Sequence, residues 1–491
     1  MPEQDSVSIS EEKRSRHARP HWIYPWTFGV FVGSLLLGRW LGIRFADNGV
    51  EFLYQFLDPE ILRNDLARGL YYLHAQPPLF NLFLGLVLKS FPGTARVAFA
   101  ISFAAISLGL LLGMVWLMRR LGVPALLAGA SCLMFAWTPN FMVYSNWVFY
   151  TLPVAFLVQL SAILLMRYLE TGRSVLAHAF SWSGALLMMT RALYHPLWFI
   201  AVVASVSAFV TTQKRKELLV SAIVPLLLVN GLYLKNYLQV GSYSGSSWLG
   251  MNLSKRWPLS QSEMAALRED GTLPPVWHRR PFREPDELRH LGYFRPRPGV
   301  HPAIGAPYKS NGQPNFNHRD YASISQDMER ADRYLILHYP GRYLQRTATA
   351  FLLFLQPGPN SVDFLVDYDF SRVHRLRDVL TRTLFRGGPI ERPIDMFEPP
   401  ANLWVLGFPA LLAFGLYSTL RGNPSDRRDP RPVFAYMVVT IVWVTVTSSL
   451  IEIGENDRMR WEVEPLLTLL LATAAAAVYR RLIAFGAAGR V

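Results

Sequence analysis

The sequence predicts an all-α polytopic membrane protein with about 10–13 transmembrane helices, juxtamembrane helices in the first outer loop and a long extracytoplasmic segment. Three observations predict this. Hydrophobic residues make up 51% of the 491-residue chain and charged residues only 17%. The apolar residues fall in long runs, such as "FGVFVGSLLLGRWLGI", "ISFAAISLGLLLGMVWLM" and "LLVSAIVPLLLVNGLYL", each with at most one charge. The basic residues gather at the ends of those runs. A soluble chain of this length would divide into roughly three domains of about 150 residues, and few such domains hold so many runs near the roughly 20 residues an apolar helix needs to cross hydrocarbon.

The runs read as full crossings at 23–43, 97–118, 122–138, 150–168, 175–190, 194–212, 217–236, 402–420, 433–451 and 465–483. Two shorter apolar segments, 77–91 and 343–356, read as half-inserted or interfacial. With that assignment every basic cluster falls on the cytosolic side, as the positive-inside rule requires. The clusters are Lys13, Arg14, Arg16 and Arg19; Arg119 and Arg120; Arg167 and Arg173; Lys214 to Lys216; Arg427 to Arg431; and Arg480 with Arg481. The net charge of +14 is thereby explained by topology rather than by nucleic-acid binding. The polar N-terminus has no signal-peptide core, so the first span is expected to act as an uncleaved anchor.

The organisation that follows has four parts. Residues 1–22 form a cytosolic polar tail, and 23–236 an N-terminal transmembrane module whose first outer loop is 44–76. Residues 237–400 form an extracytoplasmic segment, and 401–491 a C-terminal transmembrane module. Segment 237–400 is too long for a connector. Its aromatics, including Tyr243, Trp248, Trp257, Trp277, Tyr293 and Phe294, favour an ordered cap against the membrane over a disordered linker. The single cysteine, Cys132, excludes an intramolecular disulfide.

Chemistry-bearing residues concentrate on the outer side. The first outer loop carries Asp47, Glu51, Asp58, Glu60 and Asp65. A carboxylate there suits general-base work on a hydroxyl, although Asp58-Pro59-Glu60 also reads as a helix start with Asp as N-cap. "His74-Ala75-Gln76-Pro77-Pro78" places two polar residues where the chain re-enters the membrane. "YLKNYLQVGSYSGSSWLGMNL" ends a span at Lys235 and Asn236 and continues into a Gly-Ser turn, a donor-rich loop that suits a phosphate or is a plain connection. "ENDRMRWEVEPLL" places Arg458 and Arg460 on the outer side against the positive-inside trend. Their planar forks suit a phosphate or carboxylate; pairing with Glu452, Glu455, Asp457 and Glu464 is the alternative.

Taken in order, these motifs resemble the membrane-embedded C-type glycosyltransferases that use polyprenyl-phosphate-linked sugars, the superfamily of protein O-mannosyltransferases and of the lipid A aminoarabinose transferase. "HAQPPLFN" is similar to the family's H-x-PPL stretch, and "KNYLQVGSYSGSSWLGMNL" to its R-N-Y through G-x-N-L stretch. "ADRYLILHYPGRYLQRTATAFLLF" is similar to its P-G segment before a membrane-associated helix, and "DRMRWEVEPLL" to its R-Y-R-x-x-x-x-P-L-L motif. The chain departs from the family in having Asp47-Asn48 for an Asp-Glu pair, no acid in "YSNWVFYTLP", Lys235 for Arg and Met459 for Tyr.

The resemblance implies inverting transfer of a sugar from a polyprenyl-phosphate donor to a hydroxyl of a glycan, lipid or protein acceptor, at the outer face of the cytoplasmic membrane. It implies an Asp base, with Asp58 first and Asp65 and Asp47 after it. It implies phosphate binding by Lys235, Asn236, Arg458 and Arg460, and substrate contacts from His74, Gln76, Ser247 and Asn252. No metal ligand set and no cofactor is expected, since no His/Asp cluster has ligand spacing. The partners expected are the donor, the acceptor and the bilayer, with no nucleic acid. A transporter or lipid-sugar flippase is the alternative, but it would place ionisable groups deep in the spans, which are nearly free of them.

Overall fold

The apolar runs become helices in a computed structural model of the chain, which describes residues 21–356, 404–421 and 429–488 together with Gly358, Arg372 and Arg375. The polar tail 1–20, the part of the expected cap beyond 358 apart from Arg372 and Arg375, and the basic residues Arg427 and Arg428 lie outside the described residues. Among the described residues there is no strand, only two isolated β-bridges, one of them between Ala46 and Trp147. The chain is an all-helical polytopic membrane protein.

Helix α1 spans Ile23–Trp40. The first loop then folds into three short helices, α2 (Gly49–Phe52), α3 (Pro59–Asn64) and α4 (Leu66–Tyr72). Apolar α5 (Pro78–Ser90) follows, started by the Pro77-Pro78 pair as expected, then the long α6 (Ala95–Arg120). Helices α7 (Ala125–Ala136) and α8 (Pro139–Ser145) are bent by 67° at their junction. Next come α9 (Thr151–Thr171), α10 (Ser174–Thr190), α11 (Pro196–Ser207) and α12 (Thr212–Val240). The cap contains α13 (Leu249–Ser254), α14 (Gln261–Glu269), α15 (Pro285–Leu288), α16 (Pro302–Gly305), α17 (Arg319–His338) and α18 (Pro340–Phe354). The chain then continues through α19 (Trp404–Leu420), α20 (Arg431–Ile451) and α21 (Asn456–Ala488).

Among the described residues, five helices are long and apolar enough to cross a membrane (α6, α9, α12, α20 and α21), or six if the bent α7–α8 pair is one span. The crossing expected at 122–138 forms a helix of only 12 residues, and the chain bends where that crossing was expected to end. Thr138 caps a new helix by accepting from the Phe141 amide at 3.3 Å, with Pro139 in its first turn. The segments 175–190 and 194–212 form helices of 17 and 12 residues. At about 1.5 Å per residue, a 12-residue helix is roughly 18 Å long, well short of a hydrocarbon core about 30 Å thick.

The outward faces of the spans are apolar. Ile101 is 65% exposed, Leu126 78% and Leu238 75%, a surface that calls for lipid rather than water. Inside, sparse polar contacts join the helices. Gln159 donates to the Leu110 carbonyl at 2.8 Å, and the Ser161–Ser183 and Ser181–Ser221 hydroxyl pairs are each 2.8 Å apart. Such bonds satisfy groups that would otherwise be orphaned in an apolar medium.

The described part of the cap packs around the buried Trp248, Trp257, Trp277, Phe294 and Tyr321. Helices α13 and α17 cross so closely at Gly250 that a Cβ there would lie 1.9 Å from the Ser325 carbonyl oxygen. The glycine of the G-x-N-L stretch is therefore a packing requirement. Asn317 stitches cap to first loop: its Oδ1 accepts from the His74 and Ala75 amides, both at 3.0 Å, and its Nδ2 donates to the Tyr72 carbonyl at 3.1 Å.

Candidate active site

A cleft of about 350 Å³ opens at the end of the bundle where first loop, cap and helix termini meet. Tyr54, Gln55 and Gln76 come to it from the first loop and its return to the membrane. Tyr150 stands just before α9, Arg191 just after α10 and His195 before α11. The Gly-Ser turn contributes Ser244, Gly245 and Ser246, and α13 contributes Asn252, with Lys255 following it. Glu452 and Glu455 lie in the short connection from α20 to α21, and Arg458 and Met459 in the first turns of α21. Leu193, Thr447 and Ile451 extend the lining toward the membrane-facing part of the bundle.

Three ion pairs converge here. Lys255 meets Glu452 at 2.6 Å, Arg458 meets Glu455, and Arg191 meets the fully buried Glu462 at 3.0 Å. The Tyr150 hydroxyl links two of them, accepting from Arg191 and, at 3.4 Å, from Arg458. The Arg458 guanidinium also lies 4.9 Å from the Phe149 ring centre. A guanidinium has five N–H donors in a fixed fork, so these partners leave donors on both arginines for a ligand anion. Glu455 is the more open of the two cleft carboxylates, with its side chain 22% exposed. Burial acts to raise its carboxyl, but Arg458, Lys255 and Arg191 outweigh burial and hold it below its ordinary value. Burial and nearby Glu455 and Glu452 push the Tyr54 phenol up, so it remains a hydrogen-bond donor.

Of the residues singled out in the sequence, Gln76, Asn252 and Arg458 line this cleft. Arg460 does not; it pairs with Glu464 at 3.1 Å and donates to the Leu355 carbonyl at 3.4 Å. Lys235 and Asn236 stand behind the walls. The Lys235 ammonium donates to the Leu73 carbonyl at 2.5 Å, and Asn236 donates to the Ser244 carbonyl at 2.7 Å, fixing the Gly-Ser turn. His74 Nδ1 and Ser247 Oγ are 2.8 Å apart. Burial, with Lys235 nearby, lowers the His74 imidazole to about 3, so it is neutral.

The three aspartates of the first loop line other ground. Asp58 caps α3, accepting from the Glu60 amide at 2.9 Å, and its carboxylate also accepts from the Ser310 amide at 2.7 Å and hydroxyl at 2.5 Å. Asp65 meets His301 Nε2 at 2.9 Å, and Asp47 meets Arg96 at 3.7 Å. Asp58 and Asp65 thus fasten the cap to the loop.

Arg191, Tyr150 and Lys255 were not singled out in the sequence. Arg191 had a signal, since it follows an apolar run on the expected outer side, against the positive-inside trend, as Arg458 does. No group of three or more His, Cys, Asp or Glu side chains among the described residues is arranged to hold a metal ion.

No family model and no curated protein matches the chain. Solved structures of an archaeal oligosaccharyltransferase, AglB from Archaeoglobus fulgidus, are similar to it. One, in complex with an inhibitory peptide and a dolichol-phosphate, is 13% identical, with 95% of this chain and 52% of that chain covered and a TM-score of 0.39. Another, of the Archaeoglobus fulgidus oligosaccharyltransferase tethered with an acceptor peptide, is also 13% identical, with 94% and 50% covered and a TM-score of 0.40. The chain spans about half the length of these structures. A likeness at this score and identity assigns neither family nor activity.

Proposed function

We propose that this chain is a membrane glycosyltransferase that takes a sugar from a polyprenyl-phosphate donor and gives it to an acceptor hydroxyl of a glycan, lipid or protein, with inversion. The observation that carries the reading is the convergence of Arg191, Lys255 and Arg458 with Glu452 and Glu455 in one cleft at the end of an apolar bundle. Such a site suits a substrate that is a phosphate at one end and hydrocarbon at the other. The neutral polar groups Gln55, Gln76, Asn252 and Ser246 provide partners for sugar hydroxyls.

The chemistry needs one base. Glu455 takes the acceptor proton as the acceptor oxygen bonds to the anomeric carbon. The bond from that carbon to the phosphate oxygen breaks on the opposite side, and lipid phosphate departs with the electron pair. The leaving group is already a stable anion, so no general acid is required. Arg458 and Arg191 stabilise the charge that grows on the phosphate oxygens. Glu455 is preferred to Asp58, Asp65 and Asp47 because it lines the cleft and they do not.

The distribution of charge supports a cleft on the non-cytosolic face of the cytoplasmic membrane. Arg119 and Arg120, Arg167, Lys214 to Lys216, and Arg480 with Arg481 stand at the far ends of helices whose other ends approach the cleft. At that far end Arg120 pairs with Glu170 at 3.0 Å, and Arg480 donates to the Gly122 carbonyl at 3.1 Å. This distribution supports a cytosolic far end.

The test is mass spectrometry of lipid-linked sugars and envelope glycans in a strain lacking the protein. The expected result is accumulation of one polyprenyl-phosphate sugar with loss of one glycan substituent, restored by the parental chain and not by Glu455→Gln. Unchanged pools of both would overturn the reading.

A further inference from the structure

Outside the cleft, one cluster of charge has no task in the proposed chemistry. Arg39 in the last turn of α1, Arg44 just beyond it, and Arg96 in the first turn of α6 surround an open hollow that Phe45 also lines. Arg96 is held in place: it donates to the Phe45 carbonyl at 2.8 Å and pairs with Asp47 at 3.7 Å. No carboxylate among the described residues pairs with Arg39 or Arg44. Three guanidinium groups at one hollow repel one another unless an anion joins them, and the planar fork of arginine suits phosphate oxygens.

The surroundings indicate the kind of anion. On α1, Leu36 and Trp40 lie one turn apart and are 66% and 67% exposed; on α6, Val97 and Ile101 lie one turn apart and are 58% and 65% exposed. Both apolar stripes end at the arginines. Trp40, whose carbonyl accepts from Arg372 at 2.8 Å and whose ring centre lies 5.9 Å from that guanidinium, stands where tryptophans concentrate in membrane proteins, at the level of the headgroups. The end of the bundle is the one that carries the cleft, where basic residues run against the charge trend of the rest of the chain. A lone phosphate ion would need the arginines but not the stripes. A lipid with an anionic phosphate headgroup uses both, its acyl chains along α1 and α6 and its phosphate between the guanidinium groups.

We propose that Arg39, Arg44 and Arg96 form a headgroup site for an anionic phospholipid of the surrounding leaflet, separate from the cleft. The site steadies the loop from Arg44 to Asn48. Ala46 in that loop accepts from the Val148 amide at 2.9 Å and donates to the Asn146 carbonyl at 2.7 Å, and Val148 stands two residues before Tyr150 of the cleft. The inference rests on the membrane reading of the helices and is independent of what the cleft transfers.

The experiment is native mass spectrometry of the full chain purified in detergent, titrated with phosphatidylglycerol, phosphatidylcholine, polyprenyl phosphate or inorganic phosphate. The variant is Arg39→Gln/Arg44→Gln, which spares Arg96 and breaks no side-chain hydrogen bond or ion pair among the described residues. Phosphatidylglycerol should bind the parental chain at least tenfold more tightly than the variant, while phosphatidylcholine binds both equally and millimolar inorganic phosphate does not displace the lipid. Equal phosphatidylglycerol binding by both proteins would overturn the proposal. So would ready displacement by inorganic phosphate, which would mark a free-anion site. Loss of polyprenyl phosphate binding in the variant would also overturn it, by showing that the arginines serve the lipid phosphate assigned to the cleft.

Discussion

Arg458 donates to the Tyr150 hydroxyl at 3.4 Å, and the same hydroxyl accepts from Arg191. One phenol thereby spaces two guanidinium groups that come from helix termini 267 positions apart in the chain. Tyr150→Phe keeps the ring under both cations and removes the shared acceptor. Losing a hydrogen bond to a charged group costs roughly 1.5–3 kcal/mol. Transfer should fall about ten- to a hundredfold with the amount of folded protein preserved, measured as initial rate per mole of monodisperse protein. A rate equal to the parental one would show that the arginines hold their places without Tyr150.

Glu455→Gln and Asp58→Asn separate the two candidate bases. Glu455→Gln should reduce transfer by about 10²–10⁴, the usual consequence of removing a general base. Asp58→Asn should leave transfer near parental. It should still lower stability, since Asp58 accepts from Glu60 and from both donors of Ser310 and an amide offers a single acceptor oxygen. The cost is expected at roughly 1–3 kcal/mol. Asp65→Asn and Asp47→Asn belong in the same assay. Collapse of transfer in any of the three aspartate variants, with Glu455→Gln active, would return the base to the first loop.

The Asp332 carboxyl is pushed up to about 8 by burial, which outweighs its hydrogen-bonding neighbours Trp277 and Trp257. In the unfolded chain it ionises near its ordinary value of 3.8. Between those limits the folded state holds more protons than the unfolded state, so this group lowers stability as pH rises from about 4 to about 8. Asp332→Asn removes that slope. Thermal unfolding should show the variant gaining on the parent as pH increases across this range, with the difference flat above pH 8. Parallel melting profiles for the two proteins would contradict the assignment.

Gly250→Ala should abolish accumulation of folded protein, because the added methyl carbon would fall 1.9 Å from the Ser325 carbonyl oxygen and 2.5 Å from the Glu329 amide. Neither backbone atom moves without separating α13 from α17. Overpacking of a tight site typically costs about 1–3 kcal/mol, and more where backbone is struck. Size-exclusion profiles and melting temperature give the readout, and a parental profile would mean the crossing is looser than described.

Sidedness is read most simply at Arg289, exposed on the cap. Cys132 is the sole native cysteine and is buried, so an introduced cysteine reports alone. Arg289→Cys should react with an impermeant maleimide in whole cells once any outer membrane is permeabilised. Labelling only after lysis of the inner membrane would place the cap in the cytosol.

The helical class was legible because long apolar runs leave few alternatives, and the break at Trp137-Thr138-Pro139 had its own visible signal in a Thr-Pro cap. The site was legible only in part. Arg458 stood out because it opposed the charge trend, and Gln76 and Asn252 because they sat in motifs. Arg191 opposes the same trend but stands outside the motifs, and Lys255 depends on a partner, Glu452, that is distant in sequence. Asp58 had the composition of a base, but its partner Ser310 lies 252 positions away in the cap. Its role in fastening the cap therefore leaves no local trace.

The proposed function requires that the cleft hold a lipid phosphate through Arg458. Its most direct test is equilibrium binding of radiolabelled polyprenyl phosphate to purified parental protein, Arg458→Ala and Arg460→Ala. Binding should be about ten- to a hundredfold weaker for Arg458→Ala and near-parental for Arg460→Ala, whose guanidinium faces Glu464 and Leu355 instead of the cleft. Equal binding by all three proteins would contradict it.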